Sequence, residues 1–205
     1  MSELIGRTAV DDEATGRRAR NMREKRERIL RAAAELFAAH GFEGVTTQQI
    51  SERADIAAGT LFRYAASKGE LFLMVHNEQL RTAIAIGAQA AARESDPGPA
   101  VIAQVEPVLT RARDSRGSAV YQRELLFGPP GERYRAEGLA LVGDLEERIA
   151  NLLGGGPEAT RAARTVFAIL NLLLVEPWTG VHPGSDPVEE LRAQVAQVVR
   201  GFHTL

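Results

Sequence analysis

Arg23 to Leu71 reads REKRERILRAAAELFAAHGFEGVTTQQISERADIAAGTLFRYAASKGEL, and this stretch decides the architecture. Ile29, Ala33, Leu36 and Phe37 recur at helical spacing, which predicts a helix from about Met22 to His40. Gly41 then stands where a left-handed residue closes a helix. Thr46, with Gln49 three residues on, is a capping box opening a second helix whose Ile50 and Ala54 face inward. Asp55-Ile56-Ala57 makes a turn, and a short third helix runs from about Ala58 to Tyr64. Ser67, with Glu70 at the reciprocal position, caps a long fourth helix reaching about Arg93. Such a helix-turn-helix framed by basic residues is a unit that lays one helix in the major groove of DNA.

Upstream, residues 1–20 lack hydrophobic periodicity and are expected to form a disordered tail. From Arg17 to Arg31, eight basic residues stand against Glu24 and Glu27, a local balance of +6 in a chain whose net charge is −2. A local basic patch of this kind can bind phosphate while an acidic remainder keeps the protein soluble. The arm Arg17 to Arg26 either contacts DNA, in a minor groove or along the backbone, or is a solvated tail.

Downstream, SDPGP at 95–99 breaks the helical pattern and opens a second region. A fifth helix carries Val101, Val105, Val108 and Leu109; a short sixth holds Tyr121, Leu125 and Leu126 and ends at GPPG, 128–131. A seventh carries Leu139, Val142, Leu145, Ile149 and Leu152 up to GGGP, 154–157. The eighth, about Glu158 to Glu176, is apolar on nearly every side towards its end, and the ninth, about Pro187 to Phe202, has Val188, Leu191, Val195, Val198 and Phe202 on one stripe. No segment has strand periodicity and no internal repeat is present, so the expected fold class is all-α, with about nine helices.

Several functions are disfavoured by what is missing. With no cysteine there is no disulfide, thiol nucleophile or cysteine metal site, which fits a cytoplasmic location. The N-terminus has no long apolar core and is not a signal peptide. The apolar run Val166 to Val175 is broken by Asn171 and falls well short of the roughly 20 residues that span a bilayer, so no membrane partner is expected. His40, His76, His182 and His203 are scattered without paired spacing, so no metal is expected. No nucleophile motif and no glycine-rich phosphate loop occurs, so neither catalysis nor a cofactor is expected. A small helical enzyme would have to rest on Glu124, Arg123 and His182, whose spacing nothing fixes.

The segment GFEGVTTQQISERADIAAGTLFRYAASKGEL resembles the TetR family of transcription regulators over about Ile29 to Leu71. The glycine, the capping threonine, Ile50, Gly59-Thr60-Leu61, Tyr64, Lys68 and Leu71 keep register with that family. The resemblance implies a helix-turn-helix DNA-binding domain at residues 21–68 and a helical ligand-binding and dimerisation domain at 69–205. Four positions depart from the pattern. Asp55 stands at a usual turn glycine, and aspartate tolerates left-handed geometry better than most residues. Ala57 replaces a polar cap, which should weaken the third helix by about 1 kcal/mol. Phe62 and Ala65 stand where tyrosine and phenylalanine are typical, which suggests a subgroup with its own operator.

The candidate DNA contacts follow from position and chemistry. Thr47 and Gln48 occupy the first turn of the second helix, where free amides and a positive dipole end hold a phosphate; Gln48 could also reach a base edge. Ala58, Gly59 and Thr60 open the third helix, and small residues there let the backbone approach the groove floor. Phe62 either packs on a thymine methyl or sugar or fills the small core. Arg63 is a candidate for base edges or phosphate. The resemblance makes Tyr64 a phosphate contact, and Lys68 is the strongest candidate for a phosphate clamp.

The eighth helix cannot expose all of Val166, Phe167, Leu170, Leu172, Leu173, Leu174 and Val175, so a second copy is expected to cover part of it. The eighth and ninth helices of two subunits would then form a four-helix interface. A two-fold homodimer presents two recognition helices roughly 34–36 Å apart, and its operator should be a near-palindrome. A small-molecule effector bound among the fifth to eighth helices would act through the fourth, which carries the head. Tyr121, Phe127, Phe167, Asn171 and Trp178 are candidate pocket residues, with ordinary core packing as the alternative for each. The expected function is a DNA-binding repressor released by an effector. The alternative is a ligand-independent activator or architectural protein.

Overall fold

A computed structural model describes the backbone at residues 3–113, 117–179 and 184–203, and the side chains at 16–111, 117–175 and 184–201. Among these residues every regular element is helical. The elements are α1 (Glu3–His40), α2 (Thr47–Arg53), α3 (Ala58–Leu61), α4 (Lys68–Ala91), α5 (Pro97–Arg113), α6 (Ser118–Phe127), α7 (Arg133–Leu152), α8 (Gly156–Thr179) and α9 (Pro187–His203).

The first helix differs from expectation. It starts at Glu3 rather than near Met22, so the stretch expected to be an irregular tail is helical. Residues 3–40 contain no proline, and their alanines, arginines and glutamates are strong helix formers, so the turns of α1 propagate upstream without an apolar stripe. At its other end Gly41 takes φ 70° and returns its N–H to the Phe37 carbonyl at 2.9 Å, the left-handed stop expected there.

Two cores organise the chain. The first gathers Ile29, Ala33, Phe37, Val45, Ile50, Leu61 and Ala65 from the first three helices and continues through Leu71–Val75 of α4; Leu125 of α6 and Tyr134 of α7 also belong to it. The second is built from α4, α5, α7, α8 and α9 around Val105, Leu109, Leu145, Ile149, Val166, Leu170, Leu191 and Val195. The fourth helix is therefore a shared wall, its N-terminal half in one core and Ala83 and Ile84 in the other. Close approach of α5 to α4 depends on Gly87, where an added Cβ would lie 2.1 Å from the Gln104 carbonyl oxygen. On α7 the buried stripe holds Leu145 and Ile149, while Leu139 faces outward.

Candidate nucleic-acid interface and effector pocket

The head is fixed by its caps and by two ion pairs. Thr46 Oγ1 accepts from the Gln49 N–H at 3.2 Å, and the Gln49 side chain accepts from the Thr46 N–H at 2.8 Å, completing the capping box. Asp55 has φ 52°, the left-handed geometry that its place in the turn requires. Its carboxylate meets Arg28 of α1 at 3.3 Å, and Arg53 of α2 donates to Glu35 of α1 at 2.7 Å. These pairs hold the turn and α2 against α1. They also spend Arg28 and Arg53 on the head itself.

The third helix is shorter than expected. It ends at Leu61, and residues 62–64 continue as a tight turn through Arg63 N–H to Thr60 and Tyr64 N–H to Leu61. Ala57 offers no side-chain cap, so nothing prolongs the start. Leu61 is fully buried, whereas Ala58, Gly59, Phe62 and Arg63 face outward and Thr60 is half-buried. Phe62 is 51% exposed and lies outside the head core. Tyr64 is half-buried and packs on the head core. Thr47 is half-buried and Gln48 exposed, the latter donating to Glu52 at 2.7 Å. Lys68 Nζ lies 4.3 Å above the Phe42 ring and 4.0 Å from Glu43, which parks the ammonium at the start of α4.

Ser67 caps α4 as expected, accepting from the Glu70 N–H at 3.0 Å, but the reciprocal bond is absent. The Glu70 carboxylate turns inward and accepts from the Tyr134 N–H of α7. The Ser67 hydroxyl donates to Glu132 at 3.0 Å; burial pushes the Glu132 carboxyl up, and that hydroxyl partly offsets it.

A cavity of about 80 Å³ lies between α4, α5, α6, α7 and α8. Its wall is mostly apolar, including Leu80, Val108, Leu125, Leu145, Phe167 and Leu170. Its polar groups are His76, Gln79, Arg111, Ser118, Tyr121, Gln122 and Asn171, and no carboxylate lines it among the described residues. Of the expected pocket residues, Tyr121, Phe167 and Asn171 are brought together here. Phe127 is not: it is the last residue of α6, is 81% exposed and points away, while Leu125 turns inward instead. The Trp178 side chain and His182 lie outside the described residues.

His76, Arg111 and Gln122 escaped the sequence reading. The first had a legible signal, since Phe72, His76, Leu80 and Ala83 form one helical stripe. The His76 ring stacks on Phe72 at 3.9 Å, and its Nδ1 lies 3.0 Å from the Phe72 carbonyl. Burial outweighs that bond and lowers the imidazole to about 4, so the ring is neutral near pH 7. Gln122 donates to the Asn171 carbonyl at 3.3 Å, and Asn171 donates to the Phe167 carbonyl at 3.0 Å. Of the three residues on which an enzyme would rest, Arg123 and Glu124 pair with each other at 3.0 Å.

With this geometry in place, residues 29–75 match the family described as bacterial regulatory proteins, tetR family. Over these residues the head is similar to the DNA-binding region of the TetR family. The chain is 43% identical over 58 residues to the transcriptional regulator TcmR of Streptomyces glaucescens, which covers 28% of this chain and 26% of that protein. It is 31% identical over 117 residues to the regulator RutR of Escherichia coli strain K12, covering 57% of this chain and 55% of that one. These spans are about a quarter and about half of the two relatives' lengths. The TetR-family fold extends further: Thermus thermophilus FadR, a transcriptional repressor solved in complex with lauroyl-CoA, superposes with a TM-score of 0.67 at 24% identity, covering 86% of this chain and 94% of that one. The relatives that define this TetR-family match are regulators, not enzymes. Among the described residues no helix is long and apolar enough to cross a membrane.

Proposed function

We propose that this chain is a homodimeric, TetR-family DNA-binding repressor of the cytoplasm, released from a near-palindromic operator by a small-molecule effector. The observation that carries it is the outward face of the capped head, Ala58, Gly59, Thr60, Phe62 and Arg63, held rigid by the buried Leu61 beneath. In this reading residues 21–68 are the DNA-binding head and 69–205 the effector-binding and dimerisation body. Thr47, Gln48, Tyr64 and Lys68 position the head on phosphates, while Ala58, Gly59, Thr60, Phe62 and Arg63 meet the groove. The exposed basic residues Arg17, Arg18, Arg20 and Arg23 on α1 add a non-specific phosphate attraction.

The effector sits among Tyr121, Phe167 and Asn171, together with His76 and Gln122. A neutral imidazole, amides and a phenol, with Arg111 as the one formal charge of the wall among the described residues, suit a mainly apolar ligand that is uncharged or anionic, and disfavour a cation. Dimerisation uses α8 and α9. A binding titration with duplexes selected by the chain from a random pool, at increasing salt, tests the proposal. Sequence-selective binding that weakens with salt is the expected result; failure to enrich any sequence would sink it.

A further inference from the structure

A chain of hydrogen bonds, part-buried at the pocket wall and buried beyond it, runs from the pocket to the base of the head. Tyr121, which lines the cavity, donates its hydroxyl to Asn77 Oδ1 at 2.8 Å. Asn77 Nδ2 donates to the Tyr134 carbonyl at 2.8 Å, and the Tyr134 N–H donates to Glu70 at 2.5 Å. Asn77 and Tyr134 are 0% exposed and Glu70 is 3% exposed, so water cannot replace a broken link. The far end reaches two elements of the head at once. Glu70 lies in the first turn of α4, two residues from Lys68, and the Tyr134 ring lies under the Arg26 guanidinium of α1 at 6.0 Å.

One glycine lets these links close. A Cβ at Gly138 of α7 would lie 2.8 Å from Asn77 Oδ1, 3.1 Å from the Tyr121 hydroxyl and 2.7 Å from a Leu125 methyl. Only a residue without a side chain allows α7 to cover the Tyr121–Asn77 pair this closely.

We propose that Tyr121, Asn77, Tyr134 and Glu70 form the coupling path between the pocket and the reading head, with the Tyr121 hydroxyl as its switch contact. The inference rests on the pocket being the effector site. A phenol has one hydroxyl proton to donate. An occupant that accepts that proton leaves the buried Asn77 oxygen without its donor, and this penalty favours an arrangement of α4 and α7 in which Asn77 finds another partner. The head is attached to both sides of that joint, so its pose follows. Tyr121 is thus a positioning residue that acts on DNA only through α4 and α7.

Tyr121→Phe in the full chain removes the switch bond and keeps the ring. Two readouts are taken: affinity for a duplex that the wild-type chain selects from a random pool, and amide hydrogen exchange of residues 68–77 and 134–138. The expected results are an affinity loss of about tenfold and faster exchange in both segments. Gly138→Ala, which wedges the same pair apart, should move both readouts the same way. Thr82→Val removes an exposed hydroxyl bonded to Glu78 of the same helix and should move neither. Unchanged exchange in Tyr121→Phe and Gly138→Ala overturns the coupling path, whatever the DNA result. If the wild-type chain selects no sequence, the repressor reading fails, and the exchange measurement still decides the path.

Discussion

The Tyr134 N–H on α7 donates to the Glu70 carboxylate on α4, and both groups are sealed from solvent. Neither group keeps water as an alternative partner. Glu70→Ala therefore orphans a buried donor and opens a void, at a cost of about 1–3 kcal/mol. Glu70→Gln keeps an accepting oxygen and should lose clearly less. The denaturant midpoints of the two variants check this; equal losses would mean that the bond to Tyr134 contributes nothing beyond packing.

His76 makes stability depend on pH. In the unfolded chain its ring takes up a proton near its ordinary 6.5, whereas in the fold burial keeps it neutral down to about 4. Between these values the unfolded state binds more protons. The contribution is complete above pH 6.5 and is lost as pH falls towards 4. At pH 5 the loss should be about 2 kcal/mol. Glu132 opposes this, since its raised carboxyl favours the folded state as pH falls. The diagnostic quantity is thus the difference between the wild-type chain and His76→Gln. Chemical denaturation at pH 7.5 and pH 5 should show a smaller drop in the variant, and parallel drops would remove His76 from the account.

On the DNA face, position and readout should separate. Lys68→Ala should weaken binding to all duplexes alike and lower the salt slope by about 1. Arg63→Ala and Thr60→Val should change base preference more than overall affinity. Phe62 is half exposed, so Phe62→Ala should leave thermal stability within about 0.5 kcal/mol while weakening operator binding. Identical behaviour of Lys68→Ala and Arg63→Ala in a selection experiment would refute this sorting of contacts.

The head was legible because its signals are local. Thr46 with Gln49, Asp55 in its turn and Gly41 after a helix each act within four residues, so sequence spacing alone carries their geometry. The start of α1 was not legible, because its first five turns rest on helix propensity without an apolar stripe to mark them. Glu70 misled for a different reason: the capping-box pattern is local, but its carboxylate is claimed by Tyr134, 64 residues away. The pocket was half legible. Tyr121, Phe167 and Asn171 lie on inward stripes, whereas Phe127 is the last residue of α6, where the helical phase no longer predicts direction.

The outer face of α8 tests the dimer. Val166, Leu170 and Leu173 are buried within the subunit, but Leu172 is 49% exposed, and Thr165 and Ala168 share its face at helical spacing. A leucine flanked by small residues suits close approach of a second helix, as a four-helix interface requires. Leu172→Asp places a charge in that contact without touching the subunit core. The variant should keep its helix content and thermal midpoint at low concentration, shift from dimer to monomer by sedimentation equilibrium, and lose at least about tenfold in operator affinity because two linked heads become one. A variant that remains dimeric would move the interface off this face of α8.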